Sequence, residues 1–375
     1  MIEWSPSKIK AFQETLLAWY DKEKRDLPWR RDHAPYHVWI SEIMLQQTQV
    51  QTVIPYYERF MAQFPTVETL ANAKESDLMK AWEGLGYYSR ARNLQRAAQQ
   101  LVTDHHGVWP TTAEGLRELA GIGPYTAGAI ASIAFGQPVP AVDGNAFRVF
   151  SRLLEIDDDI AKPKTRAVFE AAIQRMMPAD RPGDFNQAIM DLGSSYMTAK
   201  NPDSAHSPVK AFNQAYLDGI EDQFPVKTKK PRPVPVDLLA LVIRRGDQFL
   251  LLKRPKSGLL AGFWTFPMVD VAELQAASKR DLVLESDLSR ALQKWAMDEF
   301  KLSLTAIGFT GGQQVTHTFT HRKWRISLVV ADLAADADLS YFPGQWLTPT
   351  LVAKTAFPKV QTKLFDQARA LKLIE

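Results

Sequence analysis

Residues 225–235, PVKTKKPRPVP, set four prolines against four basic residues. Such a composition resists packing and favours an extended chain, so the sequence on either side must fold around its own core. With 375 residues, 46% of them hydrophobic, there is material for two cores. Upstream, apolar residues recur at three and four positions with Pro and Gly between the runs, which predicts helices over 4–20, 36–48, 51–64, 75–83, 90–104, 112–119, 126–135 and 145–154. Downstream the period changes. LLALVIRRGDQFLLLKRP is two apolar runs around a Gly-Asp turn, and HTFTHRKWRISLVVADL is another strand-like pair. The expectation is a multidomain chain: an all-α domain over 1–224, a linker over 225–236 and an α+β domain over 237–375. No internal repeat is visible.

The chain contains no cysteine, which removes disulfides, zinc–thiolate sites and thiolate-bound clusters together. A net charge of +3 points only weakly to a polyanionic partner. No apolar run is long enough to span a bilayer, and the opening MIEWSPSKIKAF lacks the apolar core of a secretory signal. A soluble cytoplasmic protein without membrane contact is expected.

Three stretches suggest chemistry. In LAGIGPYTAGAIAS, Leu119 to Ser132, a helical run ends, Gly121 and Gly123 permit a tight turn, and a small-residue helix begins at once. This reads as a helix-hairpin-helix, whose backbone N–H groups and helix dipole can hold a DNA phosphate without reading sequence. An ordinary helical corner is the plainer reading of Gly-x-Gly alone. In VPAVDGNAFRVFSRL, Asp143 is placed as an N-cap, a role worth roughly 1 kcal/mol in itself. The same placement favours an anion, which a developing glycosyl cation needs. In APYHVWISEIMLQQTQV, Glu42 lies among Val38, Trp39, Ile40, Ile43, Met44 and Leu45. Burial there raises a carboxyl pKa, making Glu42 a candidate general acid; a solvated helix face is the alternative. The polar Gln47 and Thr48 that follow, and GLGYYSRARNL with Tyr87, Arg90 and Arg92, suit a surface that opens a base stack and extrudes a nucleotide.

On these motifs, together with FWTFP and HTFTH in the second half, the chain resembles the adenine DNA glycosylase (MutY) family of the helix-hairpin-helix superfamily along essentially its whole length. The resemblance implies removal of adenine mispaired with 8-oxoguanine or guanine from double-stranded DNA, by a monomer acting at the nucleoid of a bacterium. It assigns Glu42 proton transfer to adenine N7, Asp143 stabilisation of the oxocarbenium-like sugar, Tyr125 and Asn145 support of that pair, and Gln47 and Tyr87 the wedge. An acid on the base and an anion by the sugar agree with glycoside hydrolysis generally.

Members of that family usually carry four cysteines after Asp-Leu-Gly that bind a [4Fe-4S] cluster. At the aligned positions stand Met197, Ser204, Ser207 and Asn213, so a clusterless variant without metal cofactor is expected, its loop closed by contacts among which Tyr196, Phe212 and Tyr216 are candidate anchors. His206 reads as a surface histidine. The resemblance also allows a Na, K or Ca ion on the hairpin carbonyls of 119–122. In the Nudix-like second half the metal-binding box is broken, leaving KWAMDEFK with Asp298 and Glu299, so hydrolysis of nucleotides is disfavoured. Phe319, Thr320 and His321 occupy the place of the family's 8-oxoguanine-reading Phe-Ser-His loop; His317 and His321 read as strand surface residues rather than a metal site. Two further readings stay open: a bifunctional glycosylase/lyase of the endonuclease III type, which needs a lysine where Tyr125 stands, and a damage-binding protein without catalysis.

Overall fold

The structure, a computed structural model, describes residues 1–374 except 230, 279–281, 283, 312 and 335. The chain divides into two compact units, one of Met1–Ala81 with Tyr87–Lys229, the other of Trp82–Gly86 with the chain beyond Lys229.

The first unit is helical: α1 Pro6–Glu23, α2 Pro35–Leu45, α3 Val50–Gln63, α4 Val67–Ala71, α5 Glu75–Ala81, α6 Ser89–Thr103, α7 Ala113–Leu116, α8 Pro124–Phe135, α9 Gly144–Leu154, α10 Thr165–Met176, α11 Pro182–Ser195 and α12 Gln214–Leu217. Proline opens α1, α2, α8 and α11, where its missing N–H is harmless. Helix α2 stops three residues before the predicted end, because Gln46 leaves helical geometry and Gln47 turns left-handed at φ 60°. Similarly, α7 is a single turn capped by Thr112, shorter than its periodic pattern. Helices α10 and α11 were not read from the pattern. Eleven residues of α11 are buried, on every side of the helix, so it shows no amphipathic stripe.

The core of this unit gathers Phe12, Leu16, Phe150, Leu153, Phe169, Phe185 and Leu192 from α1, α9, α10 and α11. Gly128 lets α8 touch the extended chain before α9: a Cβ there would lie 2.3 Å from the Pro140 carbonyl oxygen. That approach places the start of α9 beside α8.

The loop after α11 is closed from within. Met197 and Val209 are buried in the core, while Tyr196 packs on Trp19 and Phe212 on Trp4 and Phe12. Tyr216, expected as a third anchor, is exposed. Ser204 donates to the Glu221 carboxylate, and Asn213 donates to Ser204 Oγ at 3.0 Å and to Glu221 Oε1 at 3.1 Å. Arg152 approaches Glu221 at 4.0 Å and donates to the Thr198 carbonyl at 3.0 Å. His206 is exposed and paired with Asp203. Met197, Ser204, Ser207 and Asn213 do not fit an iron–sulfur cluster: a thioether, two hydroxyls and an amide offer no thiolate, and Ser204 and Asn213 are already hydrogen-bonded to each other. The chain beyond α12 is also held, since Thr228 bonds to Asp159 through its N–H and hydroxyl and Val226 accepts from Ile160. Of the expected linker, residue 230 lies outside the described residues and 234–236 already belong to a strand.

In the second unit, strands β1 Val234–Arg245, β2 Gln248–Lys253, β3 Trp264–Thr265, β4 Met268–Asp270, β5 Leu304–Phe309, β6 Val315–Thr318, β7 Arg322–Leu333 and β8 Gly344–Leu347 form a mixed sheet. Its spine is the parallel pair β1–β7, in register from Val234 opposite Arg322 to Ile243 opposite Ala331. Helices α13 Val271–Ser278, α14 Glu285–Phe300, α15 Pro349–Lys354 and α16 Lys359–Ala370 complete it. Alternate residues of β1 feed two cores: Leu238, Ala240 and Val242 join Leu364 and Phe365 of α16, and Leu239, Leu241 and Ile243 join Leu292 and Phe300 of α14. Among the described residues no helix is long and apolar enough to cross a membrane.

The loop network yields a first prediction. Glu221→Ala removes the acceptor shared by Ser204, Asn213 and Arg152, and should lower the stability of the first unit by about 2–4 kcal/mol, read by chemical denaturation. A loss below about 0.5 kcal/mol, the size of an ordinary surface substitution, would show that the loop is closed by its apolar contacts alone.

Candidate active site

Glu42 lies in the last turn of α2 and is 5% exposed. Burial raises its carboxyl to about 7, the charge of Asp143 adds to the rise, and a hydrogen bond from Tyr125 and the charge of Arg30 oppose it. A helix's C-terminal end disfavours an anion as well. Tyr125, in the first turn of α8, donates its hydroxyl to Glu42 Oε2 and stands 4.0 Å from Met190 Sδ. Thus the carboxyl expected on an apolar helix is buried and still able to hold a proton near neutrality.

Asp143 caps α9. Its Oδ1 accepts from the Ala146 amide at 2.8 Å and its Oδ2 from Asn145 Nδ2 at 2.6 Å. The donors anticipated from sequence are present, yet burial outweighs them and the Asp143 carboxyl is raised, against the pull of Ala146, Asn145 and Arg148. Sequence showed the cap but not the depth. Asn145 is steered in turn by Arg148, which also donates to the carbonyls of Gly193 at 2.8 Å and Met197 at 2.9 Å. Gly193 is obligatory beside it, since a Cβ would come 2.6 Å from Asn145 Cβ and 3.0 Å from its Cα.

Glu42, Tyr125, Asp143 and Asn145 line one cleft of about 1090 Å³, room for a nucleobase with its sugar. Sequence reasoning missed its cationic wall. Arg30 lines the cleft and donates to Asp191 at 2.7 and 3.0 Å, while Arg25 donates to the same carboxylate at 2.7 Å. Although Asp191 is buried, these arginines hold its carboxyl below the usual range. No local motif signals this, because the partners are 161 and 166 residues apart.

Gln47 and Thr48 form the turn after α2 and line the cleft, Gln47 exposed. Tyr87 is 52% exposed, with φ 47°. Arg90, expected as a DNA contact, is instead turned inward: it donates to the main-chain carbonyls of Ile43, Met44 and Gln46. The hairpin is exposed at Gly121, with φ 78°, and at Gly123, which caps α8 without any side-chain acceptor, leaving the helix's first N–H groups available to an anion.

In the second unit, Phe319, Thr320 and His321 join β6 to β7. The Phe319 ring is packed between His317 and Trp324, with centroids at 4.6 and 4.7 Å, while Thr320 and His321 are exposed at the tip. Asp298 pairs with Lys294 on the exposed face of α14. Among the described residues no group of three or more His, Cys, Asp or Glu is arranged to hold a metal ion.

A hairpin before a small-residue helix, followed by a capping aspartate over a cleft with a buried glutamate, defines a helix-hairpin-helix DNA glycosylase. Residues 40–175 match the HhH-GPD superfamily of base excision DNA repair proteins, and residues 239–367 match the NUDIX domain. A thermostable thymine-DNA glycosylase superposes with a TM-score of 0.52 at 25% identity, over 56% of this chain and 98% of that one. The adenine DNA glycosylase of Homo sapiens is 36% identical over 94% of this chain and 74% of its own length, and that of Schizosaccharomyces pombe 32% identical over 84% and 80%. The chain belongs to the adenine DNA glycosylase family, base-excision enzymes that bind DNA and act on N-glycosyl bonds.

Two predictions follow from the geometry. Because Glu42 titrates at about 7 when folded and at 4.5 ordinarily, the folded state binds the extra proton, and stability should fall as pH rises from about 4.5 through about 7. Glu42→Gln should abolish this dependence and be the more stable protein at pH 8, by an amount on the order of 3 kcal/mol; identical pH–stability curves would place Glu42 in solvent. Gly193→Ala should displace Asn145 and reduce adenine release at least about tenfold, more than any loss of DNA affinity.

Proposed function

We propose that the protein hydrolyses the N-glycosidic bond of adenine mispaired with 8-oxoguanine, or with guanine, in duplex DNA, as a monomer and without lyase activity. The observation that carries this is the pairing, in one cleft, of a buried carboxyl titrating at about 7 with a second carboxylate whose two oxygens accept N–H bonds.

Glu42 gives its proton to N7 of the extruded adenine. The C1′–N9 bond then breaks with its electron pair leaving on the base. Asp143, held by Asn145 and the Ala146 amide, stabilises the cation left on the sugar until water adds at C1′, the water's proton passing to the Glu42 carboxylate and restoring the acid. Tyr125 orients Glu42, and the α8 amides and hairpin fix a phosphate; a Na, K or Ca ion, which the family resemblance allows there, would be held by carbonyls of 119–122. A lyase needs a lysine to attack C1′. None of the described residues lining the cleft is a lysine, and the Tyr125 hydroxyl is committed to Glu42. Thr320 and His321, exposed beside the anchored Phe319, offer a hydroxyl and an imidazole to the opposing 8-oxoguanine.

Single-turnover release of adenine from an 8-oxoguanine:adenine duplex, developed with alkali, tests the reading. Glu42→Gln and Asp143→Asn should each lose two to four orders of magnitude in rate, with mispair binding retained; near-normal rates would sink the mechanism, and strand cleavage without alkali would favour the lyase. The Thr320→Ala, His321→Ala double variant should keep the chemical step at saturating enzyme but lose about 1–3 kcal/mol of preference for 8-oxoguanine over guanine. Unchanged preference in a variant of normal melting temperature would leave these residues without a role in damage reading.

A further inference from the structure

We propose that Arg90 is a positioning residue that locks the Gln47 turn, the Tyr87 turn and the end of the helix bearing Glu42 into one unit, so that base extrusion and proton delivery depend on it together. This rests on the glycosylase reading above.

The last carbonyls of a helix have no partner within it. In α2 these lie one to two residues beyond Glu42, and Arg90 Nη1 reaches those of Ile43 at 2.5 Å, Met44 at 3.2 Å and, past the helix end, Gln46 at 2.8 Å. Binding the Gln46 carbonyl fixes the peptide that leads into Gln47, a residue held at φ 60°. On its other side Arg90 holds Tyr87, also left-handed at φ 47°: its own N–H donates to the Tyr87 carbonyl at 2.8 Å, and its guanidinium lies 5.7 Å from the Tyr87 ring centroid. A side chain with a Cβ in that region costs on the order of 1–3 kcal/mol and persists only where surroundings impose it. Here one guanidinium serves both turns. Burial lowers Arg90 to about 10, so it stays charged at neutral pH. The three bonds converge on one nitrogen of a planar group that also faces the Tyr87 ring, a combination that lysine's compact ammonium reproduces only in part.

A cap that only stabilised the fold would lower the melting temperature and nothing else. Positioning predicts more. With 2-aminopurine in place of the target adenine, Arg90→Gln should bind the mispaired duplex yet lose most of the fluorescence rise that accompanies extrusion. With adenine, its single-turnover rate should fall about ten- to a hundredfold, and the descending pH limb near 7 should shift. Arg90→Lys should recover only part of each. In a Tyr87→Ala background, Arg90→Gln should cost less than in the wild type, because part of what Arg90 holds is already gone. If Arg90→Gln does not fold, Arg90→Lys carries the test: reduced fluorescence at an unchanged melting temperature supports the proposal. Wild-type fluorescence, rate and pH limb in a folded variant would overturn it. A wild-type protein that extrudes the base but releases no adenine would instead overturn the glycosylase reading, and the fluorescence arm would still report on Arg90.

Discussion

The arrangement turns on two carboxyl groups set at opposite electrical ends of helices. Glu42 stands where α2 finishes, buried amid apolar side chains at the negative end of the helix, so its neutral form is favoured. Asp143 stands where α9 begins, with N–H groups directed at both oxygens, so a charge there is accommodated despite its burial. One fold thereby gives two buried carboxyls in a single cleft opposite surroundings, the one without cationic or amide donors, the other met by N–H groups. Much of the surrounding structure holds these ends in place: the proline that opens each neighbouring helix, the glycine that lets α8 meet Pro140, and the glycine that leaves room for Asn145.

Guanidinium groups do most of the joining. Arg148 gathers the α9 N-terminus, Gly193 and Met197; Arg152 gathers Thr198 and Glu221; Arg30 and Arg25 converge on Asp191; Arg90 closes α2. Three of these five, Arg148, Arg152 and Arg90, donate to main-chain carbonyls at a helix end or just beyond one, and the other two share the Asp191 carboxylate. A planar group with five N–H donors suits such places, where several acceptors face one point and water is excluded.

How much of this could be read from the letters depends on the range of each interaction. The helical character of the first half and the strands of the second were legible, because periodicity is local. Helix α11 was not, since a helix buried all round has no stripe to betray it. Glu42 and Asp143 stood out as carboxyls in unexpected neighbourhoods, yet the burial that lifts Asp143 depends on chains arriving from elsewhere. Arg90 was misread for a related reason: a motif shows that an arginine opens a helix but not that its side chain turns inward to the carbonyls of another. Asp191 and its arginines, separated by most of the first unit, left no local trace.

The loop between α11 and α12 bears on how such a protein comes into being. Its ligand positions are filled by Ser204 and Asn213 bonded to each other and to Glu221, with Met197 in the core. Everything that closes it is delivered by the ribosome. The polypeptide therefore reaches its finished shape with no iron to acquire, no assembly machinery to await and no inorganic centre to be bleached by peroxide.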